Sequence, residues 1–196
     1  LVKNSETLLL SRNLFIENSF IELPEKEAIL QFVNDKNSDD NILILTGRAG
    51  NGKTALLSEL QQILKNENSL CLSIKSDSFT ITSKESLSNN FEIDDLHEAI
   101  VQLSKKEQVI ILIDQLDALS LTLSSNREPI NIVLEFIQSL KGIENINIVI
   151  SIREYDLKND PLLKKINDTN KITMDLLSEE IVKDKLNVII KKHGAL

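Results

Sequence analysis

Eight consecutive residues constrain this chain more than any other stretch: Gly47-Arg48-Ala49-Gly50-Asn51-Gly52-Lys53-Thr54, the pattern G-x-x-x-x-G-K-[ST]. The flanks have the form this pattern needs. Ile42-Leu43-Ile44-Leu45 before it is an apolar run of strand length, and residues 55–64 after it place Leu56, Leu57, Leu60, Ile63 and Leu64 on one helical face. Strand, glycine loop and helix together bring backbone N–H groups and a positive helix end around one anion. Gly47, Gly50 and Gly52 permit a close approach that a Cβ would hinder. The expected nucleotide contacts are therefore Gly47, Arg48, Ala49, Gly50, Asn51, Gly52, Lys53, Thr54 and Ala55. Lys53 is expected at the β- and γ-phosphates, and the Thr54 hydroxyl at Mg²⁺.

Composition narrows the partners. With 196 residues, 41% of them hydrophobic, the chain suffices for one α/β domain with a sizeable core. A formal net charge of −8, 4% aromatics and no Trp argue against a nucleic-acid surface, because stacking platforms and a basic balance are both missing. The single Cys71, inside Leu70-Cys71-Leu72-Ser73-Ile74, reads as a small buried strand residue and suits a reducing cytoplasm. No apolar run approaches membrane-spanning length and no signal peptide is evident. The chain reads as an excerpt of a longer protein.

Strand and helix signals alternate along the sequence. Residues 1–41 form an entry segment, with a short extended piece at Leu14-Phe15-Ile16 and a helix over 25–34. A strand is expected at 70–74, then a polar stretch over 75–90, the most loop-like part of the chain. Asp94 and Asp95 open a helix running to about Lys106, followed by a doubly buried strand over 109–113. A loop over 120–128, a helix over 129–140 and strands over 146–152 and 172–174 complete the core. Ser178 then caps a last helix with Leu186, Ile189 and Ile190 on its inner face, Lys191 and Lys192 near its end, and Gly194 to stop it. Alternation of this kind predicts a parallel sheet with right-handed crossovers.

A second segment supplies the acid that a phosphate loop needs. Val109-Ile110-Ile111-Leu112-Ile113-Asp114 delivers a carboxylate at the C-terminal end of a buried strand, the edge at which parallel sheets bind ligands. Asp114 is thus the expected metal ligand with Thr54. Many hydrolysing ATPases place Glu directly after that Asp; here the residue is Gln115, an amide that orients water but is no effective base. Asp117, three residues beyond Asp114, is the next carboxylate able to face the γ-phosphate, with a capping acid as the alternative. Arg153, ending the strand 146–152, is placed to sense the γ-phosphate; its alternative is a surface pairing with Glu154 or Asp156. Arg127 is a weaker candidate of the same type, able to point to a neighbouring subunit.

These motifs together resemble the STAND class of AAA+-like NTPases, related to NACHT and NB-ARC modules, with the closest match in the bacterial antiviral AVAST-type proteins. Ser11-Arg12-Asn13-Leu14-Phe15-Ile16 is similar to the segment that packs near adenine in that class. Ile113-Asp114-Gln115-Leu116-Asp117-Ala118-Leu119 is similar to its second nucleotide motif, with two acids three residues apart. Ser151-Ile152-Arg153 resembles its sensor-strand Ser-Arg pair, and the stretch from Ile172 to Glu180 resembles the entry to a helical lid. The class often has Gly and Glu where Gln115 and Ala118 stand here. The resemblance implies a P-loop three-layer sandwich with sheet order 5-1-4-3-2, divided into an entry segment 1–41 near the base, a core 42–176 and the start of a lid at 177–196. It also implies ATP with Mg²⁺ as ligand, hydrolysis to ADP, a homo-oligomer on activation, and a protein trigger sensed elsewhere in the protein; the amide at Gln115 points to hydrolysis that is slow or needs a partner. The alternatives are a cycling AAA+-type ATPase, including DNA-handling members, and a small-molecule kinase.

Overall fold

Apolar runs with no polar side to turn toward water become the central strands. In the computed structural model, which describes residues 23–35, 40–120, 127–166 and 170–193, β1 (Ile42–Gly47), β3 (Val109–Asp114) and β4 (Ile146–Arg153) are buried almost end to end. β2 (Leu70–Lys75) and β5 (Asn170–Met174) take the edges. All pairings are parallel and the order is β2-β3-β4-β1-β5. Read from the other edge, that is the 5-1-4-3-2 sheet of a P-loop sandwich.

The period of two along each strand splits the core in two. Ile42, Ile44, Ile111, Ile113, Ile148 and Ile150 face one layer, while Leu43, Leu45, Ile110, Leu112 and Val149 face the other. Helices α1 (Pro24–Asn34) and α2 (Lys53–Asn66) cover the second face through Ile29, Val33, Leu56, Leu57, Leu60 and Leu64. Helices α3 (Lys84–Asn89), α4 (Leu96–Ser104) and α5 (Glu128–Leu140) contribute to the first. Each fully buried Ile or Leu contributes about 1.5–3 kcal/mol relative to exposure, so the two faces of the sheet carry much of the stabilising burial.

Several elements depart from the sequence reading. The polar stretch 75–90 holds α3, closed by a reciprocal capping box between Ser83 and Ser86. Helix α4 starts only after Asp95, whose carboxylate accepts the Glu98 N–H at 2.9 Å, and it ends at Ser104. A 3-10 turn Leu116–Leu119 after β3, helix α6 (Glu154–Asn159) after β4, and a 3-10 turn Leu163–Ile166 behind α6 form where no element is expected. Helix α7 (Glu179–His193) begins behind Ser178, whose hydroxyl accepts the Ile181 N–H at 3.3 Å. Ile190, expected on its inner face, is 51% exposed. The expected pieces at Leu14-Phe15-Ile16 and Gly194, and the side chains of Leu186, Ile189, Lys191 and Lys192, lie outside the described residues.

Polar side chains lock the N-terminal edge of the sheet. Asn41 donates to the carbonyls of Leu140 and Ile146, both at 3.0 Å, and accepts the Gly142 N–H at 2.9 Å. Gln108 and Asn147 pair at 2.9 Å and reach the last carbonyls of α1. The opposite edge, where β1, β3, β4 and β5 end, carries the chemistry.

Candidate functional site

Register brings the site together before any side chain is considered. Gly47 pairs with Arg153 on one side and Met174 on the other, so the phosphate loop leaves the sheet between β4 and β5. A Cβ at Gly47, where φ is +149°, would sit 2.5 Å from the Met174 carbonyl oxygen. Asn51 donates to that same oxygen at 2.6 Å, tying the loop to β5. Gly52, at φ +86°, ends the loop as the residue capping α2, and no side chain caps that helix. Its first N–H groups therefore face the hollow of the loop, an arrangement suited to an anion. Arg48, Ala49 and Gly50 form the exposed crest, and Ala55 is half-buried in the first turn of α2.

Lys53 and Asp114 are charged groups buried in that hollow. The Lys53 ammonium donates to the carbonyls of Gly47 at 3.0 Å and Arg48 at 2.9 Å. Burial pushes its pKa down, with the nearby Asp117 carboxylate opposing. Asp114 is fully buried and accepts from Thr54 at 2.9 Å and from Ser151 at 2.6 Å. Burial raises its pKa despite these hydrogen bonds. A desolvated carboxylate beside a hydroxyl is a hard-oxygen pair that fits Mg²⁺, which uses one or two protein oxygens with phosphate and water. Among the described residues no larger cluster of metal-ligating side chains occurs.

Ser151 does more than the sequence suggests. Its hydroxyl donates to Asp114 and accepts the Gln115 N–H at 2.8 Å, so it links the metal-side carboxylate to the next residue. Gln115 sits in the left-handed region, φ 56° and ψ 49°, which costs a non-glycine residue about 1–2 kcal/mol. The signal for Ser151 lay in the register. Ile113 pairs with Ile150, so the following residues, Asp114 and Ser151, must meet.

Asp117 is buried at 1% exposure in the 3-10 turn, and both its oxygens face Arg153. Oδ1 accepts the Arg153 backbone N–H at 3.0 Å. Oδ2 lies 3.2 Å from Arg153 Nε, an ionic contact without hydrogen-bond alignment. Arg153 thus pairs with Asp117 rather than with Glu154 or Asp156. Arg127 is engaged in its own chain: it meets Asp160 at 2.6 Å, and the Ser120 hydroxyl donates to the same carboxylate. Phe15, the expected base contact, lies outside the described residues.

The family model for novel STAND NTPase 3 matches residues 26–195. The chain belongs to this family of STAND NTPases. No curated protein matches it. Among solved structures, a Walker-type ATPase of Pyrococcus abyssi aligns with a TM-score of 0.67 at 14% identity, over 94% of this chain and 62% of that one. AMPPCP-bound DnaA from Aquifex aeolicus gives 0.59 at 16%, over 87% and 51%. A chain of the E. coli MS115-1 HORMA:CdnC:Trip13 complex gives 0.60 at 15%, over 90% and 70%. These likenesses show the fold, that of AAA+-type P-loop ATPases, and the STAND NTPase spans only about half to 70% of the solved chains. Among the described residues no helix is long and apolar enough to cross a membrane.

Proposed function

We propose that this STAND NTPase domain binds ATP with Mg²⁺ as the ligand of a switch and hydrolyses it slowly to ADP. One observation carries the reading: between Asp114 and Leu119 no carboxylate stands free to activate water, since position 115 is an amide, position 118 is Ala and Asp117 is occupied by Arg153. In this reading Gly47, Arg48, Ala49, Gly50, Asn51, Gly52 and Ala55 wrap the phosphates and Phe15 lies near the base. Lys53 leaves its two loop carbonyls for the β- and γ-phosphates. Thr54 and Asp114 would hold the ion, which neutralises phosphate charge when bound. Gln115 orients the attacking water, Arg153 contacts the γ-phosphate, and Asp117 supplies negative charge beside it.

ATP acts as a switch ligand only if it binds the assembling state more tightly than the resting one. A γ-phosphate seen by Lys53, the ion and Arg153 supplies such a difference, and homo-oligomerisation is the proposed output. The proposed division is an entry segment 1–41, a core 42–176 and a lid beginning at 177–196. The AVAST resemblance extends the proposal to antiphage defence in a bacterial cytoplasm, with a protein trigger sensed outside these residues. Calorimetric titration tests the site: Lys53→Ala should abolish Mg·ATP binding, and an affinity within a few-fold of the parent would overturn it. Light scattering tests the switch. Assembly of the whole protein should form equally with a non-hydrolysable ATP analogue; assembly requiring turnover would favour a cycling ATPase.

A further inference from the structure

Asp117 holds the residue proposed to meet the γ-phosphate by two different handles. One is the main chain: Oδ1 accepts the Arg153 N–H across 36 residues, at the corner where β4 ends and α6 begins. The other is ionic, and the closest approach is to Nε, the guanidinium nitrogen nearest the chain. Arg153 makes no other ion pair among the described residues, and its side chain is 43% exposed. The distal fork of two amino groups is therefore left to a ligand, and that fork is the part of arginine that matches phosphate oxygens. Asp117 itself is buried, ion-paired with Arg153 and near enough to interact with Lys53, while the Asp156 carboxylate interacts with both Asp117 and Arg153.

We infer that Asp117 is a positioning residue: it anchors Arg153 at Nε so that the distal fork meets the γ-phosphate, and thereby sets the preference for ATP over ADP. This rests on the reading that ATP binds at the phosphate loop. An anchored guanidinium loses less rotamer freedom on binding than a free one, so the advantage appears only with the nucleotide that reaches it. A role for Asp117 as the base for water makes a different prediction, because a base alters turnover without separating the affinities of ATP and ADP.

The test is calorimetric titration of the protein with Mg·ATP and Mg·ADP. Asp117→Asn keeps an oxygen for the Arg153 N–H and removes the charge. It should weaken ATP binding by about tenfold, the size of one charge-assisted contact, and leave ADP affinity within about twofold. Arg153→Gln should give the same selective loss, and the double variant no further loss. Asp117→Glu, which keeps the charge but displaces the anchor, should also lower the ATP-to-ADP ratio, and it serves if the Asn variant does not fold. An unchanged ratio with slower turnover would overturn the inference in favour of a base. A raised ratio would make Asp117 a competitor for Arg153, and an equal loss for both nucleotides would make it merely structural. If the parent binds neither nucleotide, or Lys53→Ala binds as the parent does, the nucleotide reading itself has failed.

Discussion

Gly47 and Gly50 show how differently two glycines of one loop are used. Gly47 combines a positive φ with a backbone carbonyl where its Cβ would be, and neither β1 nor β5 can retreat without losing its pairing. Gly50 has only the positive φ, with open space around it. Gly47→Ala should therefore cost several times more stability than Gly50→Ala, for which about 1–2 kcal/mol is expected from the left-handed backbone alone. Thermal melts of the two variants check this. Equal losses would mean the β1–β5 edge yields freely and the contact with Met174 does not confine the loop. Gln115 is the reverse case, a side chain where the backbone favours glycine, and the STAND class often has Gly there. Its strained conformation is held by Ser151, a bond that is invisible in a list of local motifs.

At the level of elements, legibility followed where the stabilising contacts lie. The strands β1, β3 and β4 were readable because burial on both faces demands unbroken apolar runs, and α2 because its buried face repeats at helical spacing. The loop from Gly47 to Thr54 and Asp114 were equally open to reading, each being local. Helix α6 and the two 3-10 turns were not, because partners far along the chain fix them: Asp117 holds the start of α6, and Asp160 receives Arg127 and Ser120. Helix α3 was missed for another reason. Its Ser-rich sequence signals a loop, yet Ser83 and Ser86 cap each other. Ser83→Ala should cost about 1 kcal/mol. Because the box is reciprocal, Ser83→Ala with Ser86→Ala should cost less than the sum of the two singles. Urea midpoints at constant slope measure all three, and strict additivity would mean that the two serines cap independently.

Taken whole, the molecule concentrates unfavourable electrostatics at one edge of a sheet whose other edge is clipped by neutral amides. Asp114 is the clearest instance. Its pKa is raised, so the folded chain holds that proton more tightly than the unfolded chain does. The ligand-free fold is thus favoured below the ordinary carboxylate range, and this contribution disappears as pH rises through the folded value. Once ionised, the buried group is a net cost that a bound cation would offset. Asp114→Asn removes the charge while keeping polar partners for Thr54 and Ser151, so it should raise the ligand-free melting temperature, by about 2–4 °C for each kcal/mol regained in a chain of this size. The same variant should also lose the acid-side slope of stability. The parent should gain about 2.7 kcal/mol when Mg·ATP stands at a hundred times its dissociation constant. Asp114→Asn should lose that gain, and chelating Mg²⁺ from the parent should reproduce most of the loss. Scanning calorimetry with and without Mg·ATP decides the matter. A variant that melts earlier yet still responds fully to Mg·ATP would show that Asp114 ties β3 to α2 and β4, and that the stored charge serves the fold instead of the ligand.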